Sequence, residues 1–233
     1  MNIDSDIKKG KQVCLLSTAY FPPIEYFAAM VKYDSVIIEA CEIYQKQSYR
    51  TRCYIYSSNG VFVLGVPVLR DTGLHSHKIP IRDIKIDYSE PWVMQHERAL
   101  IAAYMNSPFF EYYSEEIFEV LEKKEKFLFD LNLNIILLLK QLIGNINSDI
   151  SLSESFLSST HDENGNSIID SGDSIIDLRN RIHPKYKGEN LLSMYKIQKP
   201  YFQVFSQKQG FISNLSSVDL LFNEGPNSIS FLR

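Results

Sequence analysis

Three cations and two tyrosines interleave in the short segment EIYQKQSYRTR: Lys46, Arg50, Arg52, Tyr44 and Tyr49. Side chains two positions apart on a strand point to the same side, so Arg50 and Arg52 share one face if a strand begins at Tyr49. Two guanidinium groups on one face match the oxygens of a carboxylate or a phosphate. The segment therefore predicts an anion clamp. The alternative is a solvated basic strand paired with Glu39 and Glu42.

A second polar segment, DLRNRIHPK at residues 177–185, contains a candidate for proton transfer. His183 titrates near neutral pH, which suits a general acid or base, although a structural role is the alternative. Arg179 follows Asp177 by two residues. It is predicted to bind substrate, or to form an ion pair with that carboxylate that anchors the loop.

The segment STAYFPPIEYF follows a short apolar run, residues 13–16, that predicts a buried strand. Its two prolines end that strand and suit the first turn of a helix. Open α/β folds bind ligands at the carboxyl ends of strands, so Glu25 and Tyr26 are predicted to face such a crevice, beside Tyr20 and Pro22. The alternative is a proline-stiffened turn held by aromatic packing.

Other motifs for chemistry are weak. His75 and His77 would share a strand face, but no third ligand follows at a standard spacing. The segment DENGNS has Ser167 where a calcium loop requires glycine, and it lacks the distal glutamate, so we expect no metal site. The sequence also lacks the motifs of phosphate-loop enzymes, dinucleotide-binding folds, serine hydrolases and zinc proteases, and it indicates no particular cofactor.

Composition narrows the class of protein. The 233 residues suffice for one large domain, and the formal net charge of −4 does not favour nucleic acid as a partner. Three cysteines without a C-x-x-C spacing predict reduced core residues in a cytoplasmic protein. The most apolar stretch, LFDLNLNIILLLKQL, is interrupted by polar residues, so no integral membrane segment is expected.

The predicted elements begin with a strand, a helix over residues 24–33 and a strand over residues 36–38. Two further strands join at the hairpin signal Asn59-Gly60, and an alternating segment at residues 79–86 predicts a half-exposed strand.

Helices follow, with predicted bounds Ser89–Tyr104, Ser107–Lys123 and Phe127–Leu142, and Ser216 or Ser217 is expected to cap a later short helix. Residues 148–173 are rich in serine, aspartate, asparagine and glycine and predict a mobile loop. We therefore expect one α/β domain over residues 1–233. It has a mixed sheet with an N-terminal strand–helix–strand unit, and a helical lobe at about residues 89–145.

Three runs resemble segments of the WbqC-like proteins of bacteria: STAYFPPIEYF, PWVMQHERALIAAYMNSPFFEYY and FISNLSSVDLLFNEGP. The segments DLRNRIHPK and YFQVF resemble a branch of that family found in Bacteroidetes. The family usually opens with Gln-Pro-x-Tyr-x-Pro. Here Ser17, Thr18 and Ala19 precede Tyr20, so a role that depends on that glutamine is not carried over.

The resemblance implies a cytoplasmic transferase of surface-polysaccharide (O-antigen-like) assembly that moves an acyl or glycine-like aminoacyl group to an amino sugar. Lys46, Arg50 and Arg52 would then hold the activated donor, and Asp219 joins the site residues. Either Glu25 or His183 would take the proton of the attacking amine. Two alternatives stay open: a non-catalytic module that binds a glycan or nucleotide sugar, and a nucleotide-binding enzyme that activates a substrate.

Overall fold

Four parallel strands form the centre of the computed structural model, which describes residues 12–69, 79–161, 167–170, 174–197 and 199–233. All strands within these ranges, parallel or not, are β1 (Val13–Ser17), β2 (Ser35–Glu39), β3 (Arg52–Ser57), β4 (Gly60–Gly65), β5 (Asp149–Leu152), β6 (Thr160–His161), β7 (Ser167–Asp170) and β8 (Ser174–Asp177). A six-stranded sheet has the order β5-β2-β1-β8-β7-β6, and β3 pairs with β4 separately. Strands β5, β2, β1 and β8 are parallel, whereas β7 and β6 are antiparallel. The predicted mixed α/β class is confirmed.

The helices contact the strands and one another. They are α1 (Ile24–Lys32), α2 (Trp92–Tyr104), α3 (Phe110–Glu122), α4 (Leu128–Ile143), α5 (Leu191–Met194), α6 (Ser206–Gln209) and α7 (Ser217–Glu224), with 3-10 turns at Ile81–Asp83 and Gly225–Phe231. Helix α3 packs on α4, and both contact α7. Among the described residues, no helix has the length and apolar character to cross a bilayer.

The N-terminal unit has the predicted strand–helix–strand order. The two prolines separate β1 from α1, and the Tyr26 N–H donates to the Pro23 carbonyl at 3.0 Å in the first helical turn. Residues 24–30 of α1 are all buried, because the helix contacts α5 and α7 in addition to its place beside the sheet. Burial of both strands and helix stabilises this unit through the hydrophobic effect.

Helix α4 follows its apolar pattern with a small rotation. Leu131, Ile135 and Leu139 are buried in the core, whereas Leu138 is only partly buried. A straight helix has 3.6 residues per turn, so the buried stripe drifts around it over four turns. Gly144 ends the helix with a φ of 69°, a conformation that glycine adopts without a Cβ penalty.

Two predicted elements are wrong. Residues 79–86 form a 3-10 turn with isolated bridges instead of a strand, because Pro80 lacks an N–H and Ile81, Ile84 and Ile86 are buried together. Helix α2 begins at Trp92 and not after a Ser89 cap, because the Ser89 N–H donates to Asp87 Oδ1 at 2.9 Å in a preceding turn.

The region expected to be a loop, residues 148–173, contains β5, β6 and β7. Strand β5 is the outer strand beside β2, and most of its side chains are exposed. Polar residues are tolerated on such an edge, so composition alone does not distinguish this strand from a loop.

Candidate functional site

Polar side chains meet at the carboxyl edge of the parallel sheet. Ser17 ends β1, Glu39 ends β2 in register with it, and Asp177 ends β8 on the other side of β1. Parallel strands deliver the residues after their last hydrogen bonds to one edge, which is where ligands of such sheets bind. We define the edge cluster as Ser17, Glu39, Glu42, Arg50, Asp177 and Arg179.

Two residues of the edge cluster, Ser17 and Glu42, bind the guanidinium group of Arg50. Its Nε donates to Glu42 Oε1 at 2.7 Å, its Nη2 donates to Ser17 Oγ at 2.7 Å, and Nη2 also donates to Glu42 Oε2. The Ser17 hydroxyl in turn donates to Glu42 Oε2 at 3.0 Å. Only 3% of the Arg50 side chain is exposed, so the ion pair is shielded from water and its geometry is fixed.

Arg179 makes the second buried ion pair. Its Nε and Nη2 donate to the two oxygens of Asp177 at 3.0 and 2.8 Å, and its Nη1 donates to Glu39 Oε2 at 2.9 Å. Glu39 is fully buried and also accepts hydrogen bonds from Ser153 Oγ at 2.5 Å and the Cys41 N–H at 2.9 Å. The loop-anchoring ion pair that the sequence offered as one alternative for Asp177 and Arg179 is therefore present.

A cleft of about 570 Å³ lies over the edge cluster. We call it the edge cleft, and the side chains of its wall that concern the chemistry are Glu42, Tyr44, Arg50, Phe156 and Arg179. The Arg179 guanidinium lies over the Phe156 ring at 5.0 Å. Among the described residues, the two N–H groups of Arg50 Nη1 have no acceptor. The cleft therefore combines two buried cations with unused donors.

His183 lies near this cleft and is half-buried. Burial, followed by the charges of Arg50 and Lys185, holds the pKa of His183 below its usual value, so the imidazole is neutral at pH 7. The Lys185 N–H donates to His183 Nδ1 at 3.1 Å. The neutral ring then carries its proton on Nε2, which makes that atom a donor.

The predicted pairing of Arg50 with Arg52 on one strand face is wrong. Strand β3 begins at Arg52, and Arg50 belongs to the turn before it. Arg52 and the exposed Lys46 line a different cleft, of about 510 Å³, which shares only Tyr44 with the edge cleft. The turn forms because Gln47 takes a φ of 58° and Ser48 Oγ donates to the Gln45 carbonyl at 2.7 Å.

The proline turn lines neither the Arg50 cleft nor the Arg52 cleft, so Tyr20, Pro22 and Tyr26 do not share a site with the predicted anion clamp. The Pro22 carbonyl accepts from the Ser217 N–H and hydroxyl, both at 2.8 Å, and is used inside the protein. Tyr26 is buried and donates to the Ser17 carbonyl at 2.9 Å. Tyr20 is buried too, with its hydroxyl 2.8 Å from His96 Nδ1. Aromatic packing, the stated alternative, describes these residues.

Glu25 lies on the opposite side of this turn, against the C-terminal part of the chain. Its Oε1 accepts from Asn214 Nδ2 at 2.9 Å and its Oε2 from the Leu191 N–H at 3.1 Å. Burial raises the pKa of Glu25, and these hydrogen bonds oppose the rise. Tyr49 is mostly buried near Glu25, and burial raises its pKa as well.

Asp219 is a buried carboxylate that forms no ion pair within the described part of the chain. It accepts hydrogen bonds from the Tyr201 hydroxyl and, at 3.0 Å, from Gln203 Nε2. Burial raises its pKa to about 6, against the effect of these hydrogen bonds. Ser216 caps α7 through its hydroxyl as predicted, and Asp219 lies in the first turn.

Four residues that hold these groups were not predicted as site residues: Ser17, Glu42, Ser153 and Asn214. Ser17 and Glu42 stand at or just beyond strand ends, a position that signals a site in this fold class. Ser153 and Asn214 carry no such local signal, because they meet their partners across more than 100 residues.

No group of three or more metal-ligating side chains is found in the part of the chain that the structure describes. His75 and His77 lie outside the described residues.

The comparisons with known proteins give one match. The model of the WbqC-like protein family matches residues 18–231. Neither the curated proteins nor the solved structures contain a match. The family match begins directly after β1, runs to the end of the C-terminal 3-10 turn and includes both arginines of the edge cleft. The chain therefore belongs to the WbqC-like protein family.

Proposed function

We propose that this protein is a transferase of surface-polysaccharide assembly and that the edge cleft binds the anionic part of its activated acyl or aminoacyl donor. The observation that carries the proposal is Arg50, a buried guanidinium at the carboxyl edge of a parallel sheet whose Nη1 donors have no acceptor among the described residues. Family membership supports the link to O-antigen-like biosynthesis.

The charges of the cleft support an anionic ligand. Two guanidinium groups and one carboxylate, that of Glu42, contribute to its wall, whereas Glu39 and Asp177 lie buried behind Arg179. Hydrogen bonds from a charged donor in a dry site are stronger than those in water. A phosphate or carboxylate oxygen bound at Nη1 of Arg50 would therefore be held firmly without breaking the Glu42 ion pair.

His183 is the better placed of the two candidates for proton transfer. Glu25 uses both carboxylate oxygens inside the protein and does not line the edge cleft, whereas His183 is close enough to Arg50 for that charge to lower its pKa. With its proton on Nε2, the ring would donate to the departing group or to the acyl oxygen. Because a neutral imidazole does not release its remaining proton at pH 7, this assigns His183 the role of a hydrogen-bond donor, where the sequence suggested a general acid or base.

A binding module without catalysis is the second candidate. It is favoured by a specific observation: the oxygens of Glu42 and Glu25 all accept internal hydrogen bonds, so neither carboxylate is free to act as a base. Such a module would bind nucleotide sugars at the edge cleft and form no product.

The test measures binding of UDP and acetyl-CoA by calorimetry, with Arg50→Lys, Glu42→Gln and the exposed Lys123→Ala as a control. Arg50→Lys keeps the positive charge but loses the planar guanidinium with its paired N–H donors. We therefore expect an affinity for UDP and acetyl-CoA that is at least tenfold weaker. Glu42→Gln removes the competing carboxylate and should strengthen binding. Unchanged affinity in both variants would contradict the edge cleft as the anion site.

Product analysis then separates the candidates. Mass spectrometry of a reaction with an acyl donor and glucosamine would detect the amide if the protein is a transferase. Binding without product over a panel of donors would favour the module. Exchange of pyrophosphate into ATP would instead identify the substrate-activating enzyme.

A further inference from the structure

A second cavity lies between α1, α5 and the C-terminal 3-10 turn. Its volume is about 270 Å³, at the small end of ligand sites. No residue of the edge cleft contributes to its wall. We call it the aromatic pocket and define it by Asn190, Lys199, Tyr201, Phe211, Asn214 and Phe231.

Three rings form a box on one side of this pocket. The Tyr201 ring meets Phe211 at a centroid distance of 5.2 Å and an interplanar angle of 90°, and it meets Phe231 at 5.8 Å and 70°. Two rings therefore stand nearly perpendicular to a third. Tyr201 and Phe231 are buried, whereas Phe211 is 40% exposed, so Phe211 is the ring that a ligand can reach most easily.

Buried polar groups fix the box. The Tyr201 hydroxyl donates to Asp219, which is 1% exposed, and Gln203 Nε2 donates to both Tyr201 and Asp219 at 3.0 Å. The ring of Tyr201 is thus held in one orientation by a network behind the pocket wall. A pocket whose walls are fixed before binding does not lose side-chain entropy when a ligand enters.

Two asparagine amides also line the pocket. Asn214 is oriented by Glu25, because its Oδ1 accepts from the Glu25 N–H at 3.0 Å and its Nδ2 donates to Glu25 Oε1 at 2.9 Å. Asn190 accepts from the Ser193 N–H at 2.9 Å, and its Nδ2 has no acceptor among the residues described. Each amide therefore retains at least one N–H for a ligand.

We infer that the aromatic pocket binds a single pyranose sugar. The C–H face of a sugar ring carries partial positive charge and packs on the negative face of an aromatic ring, while its hydroxyl groups bond to fixed amides. A cationic ligand fits less well, because the Lys199 ammonium already lies 4.6 Å from the centroid of Phe231. The role of this sugar as the acceptor rests on the proposed function, but sugar binding itself does not.

The test uses saturation-transfer NMR and calorimetry with N-acetylglucosamine, glucosamine, galactose and glucuronic acid as probes. At least one should bind the wild-type protein, and Phe211→Ala should weaken that binding tenfold or more. Phe202→Ala is the matched control, since Phe202 is 52% exposed, lies on the same segment and does not line the pocket. Asn190→Ala should weaken binding as well.

Arg50→Lys separates this inference from the proposed function. It should weaken the binding of UDP but leave the binding of a monosaccharide unchanged. If no probe binds at millimolar concentration, or if binding survives both Phe211→Ala and Asn190→Ala, the sugar site is refuted, whatever the result at the edge cleft.

Discussion

Arg179 Nη1 donates to Glu39 Oε2 at 2.9 Å and so joins the ends of two strands that are not neighbours in the sheet. Glu39 ends β2 and Arg179 follows β8, with β1 between them. The bond crosses the carboxyl end of β1, next to Ser17 and the Arg50 ion pair. This pair therefore forms the floor on which the edge cleft is built.

Removing the charge of Glu39 should destabilise the protein strongly. Glu39→Ala leaves Arg179 short of one carboxylate in a dry site and deletes the acceptor of the Cys41 and Leu157 N–H groups. Breaking a buried ion pair in this way costs about 3–5 kcal/mol in the free energy of unfolding. Urea denaturation measures the loss.

The control for this prediction is Glu154→Ala, a change at an exposed glutamate just beyond β5. It should alter the free energy of unfolding by less than about 0.5 kcal/mol. Equal urea midpoints for the two variants would show that the Glu39 network contributes nothing specific to stability.

The pKa of His183 should report on anions in the edge cleft. Burial and the charges of Arg50 and Lys185 lower this pKa, so a bound phosphate that offsets the charge of Arg50 should raise it towards its usual value. The imidazole signals of His183, followed by NMR across a pH titration with and without UDP, measure the change.

The variant Lys185→Met tests the same electrostatic effect on His183 without a ligand. Deleting this cation should also raise the pKa of His183, whereas Lys187→Met, at an exposed neighbour, should leave it in place. If neither UDP nor Lys185→Met changes the pKa of His183, the charges of the cleft do not act on this ring.

The sequence correctly predicted those helices, strands and turns that depend on residues close together in the chain. The apolar run of β1, the prolines before α1, the Asn59-Gly60 hairpin and the Ser216 cap each depend on residues a few positions apart. The prediction that Arg50 belongs to a strand failed for a physical reason. The strand-forming composition of residues 49–57 predicts one strand throughout, but the tertiary bonds of Arg50 to Ser17 and Glu42 keep it in the preceding turn.

The partners of the site residues could not be predicted, because they depend on strand order. Glu39 meets Arg179 across 140 residues and Glu25 meets Asn214 across 189. No periodicity or spacing encodes such pairs. The sequence singled out Glu25 and Asp219 as site residues, but only the fold shows that both stand behind the wall of the aromatic pocket, one holding Asn214 and the other Tyr201.

Gly225 should tolerate no side chain. Its φ is +53°, and a Cβ there would lie 2.5 Å from Phe109 Cδ1, so Gly225→Ala must displace a packed ring at the end of α7. We expect a loss of about 2–4 kcal/mol in the free energy of unfolding, from overpacking and the left-handed backbone together.

Gly210→Ala separates the two causes. Gly210 also has a positive φ, +81°, but nothing lies within 4 Å of a Cβ built there. Its substitution should cost only the backbone contribution, on the order of 1–3 kcal/mol for a φ of 81° with a ψ of 175°. If thermal unfolding shows the same loss for both variants, contact with Phe109 is not what requires glycine at position 225.

The buried carboxylate of Asp219 should make stability fall as pH rises from about 4 to about 6. Burial raises its pKa from 3.8 to about 6, so between these values the folded protein keeps a proton that the unfolded chain releases. The folded state is therefore penalised above about pH 6, by roughly 3 kcal/mol for a shift of this size. Asp219→Asn removes the titration but still accepts hydrogen bonds from Tyr201 and Gln203 through its amide oxygen.

The variant should accordingly gain stability relative to the wild type as pH rises from 4 to 7, while the exposed Asp130→Asn gains nothing. Urea denaturation at a series of pH values measures both differences. A constant difference between Asp219→Asn and the wild type at every pH would mean that Asp219 keeps an ordinary pKa in the fold.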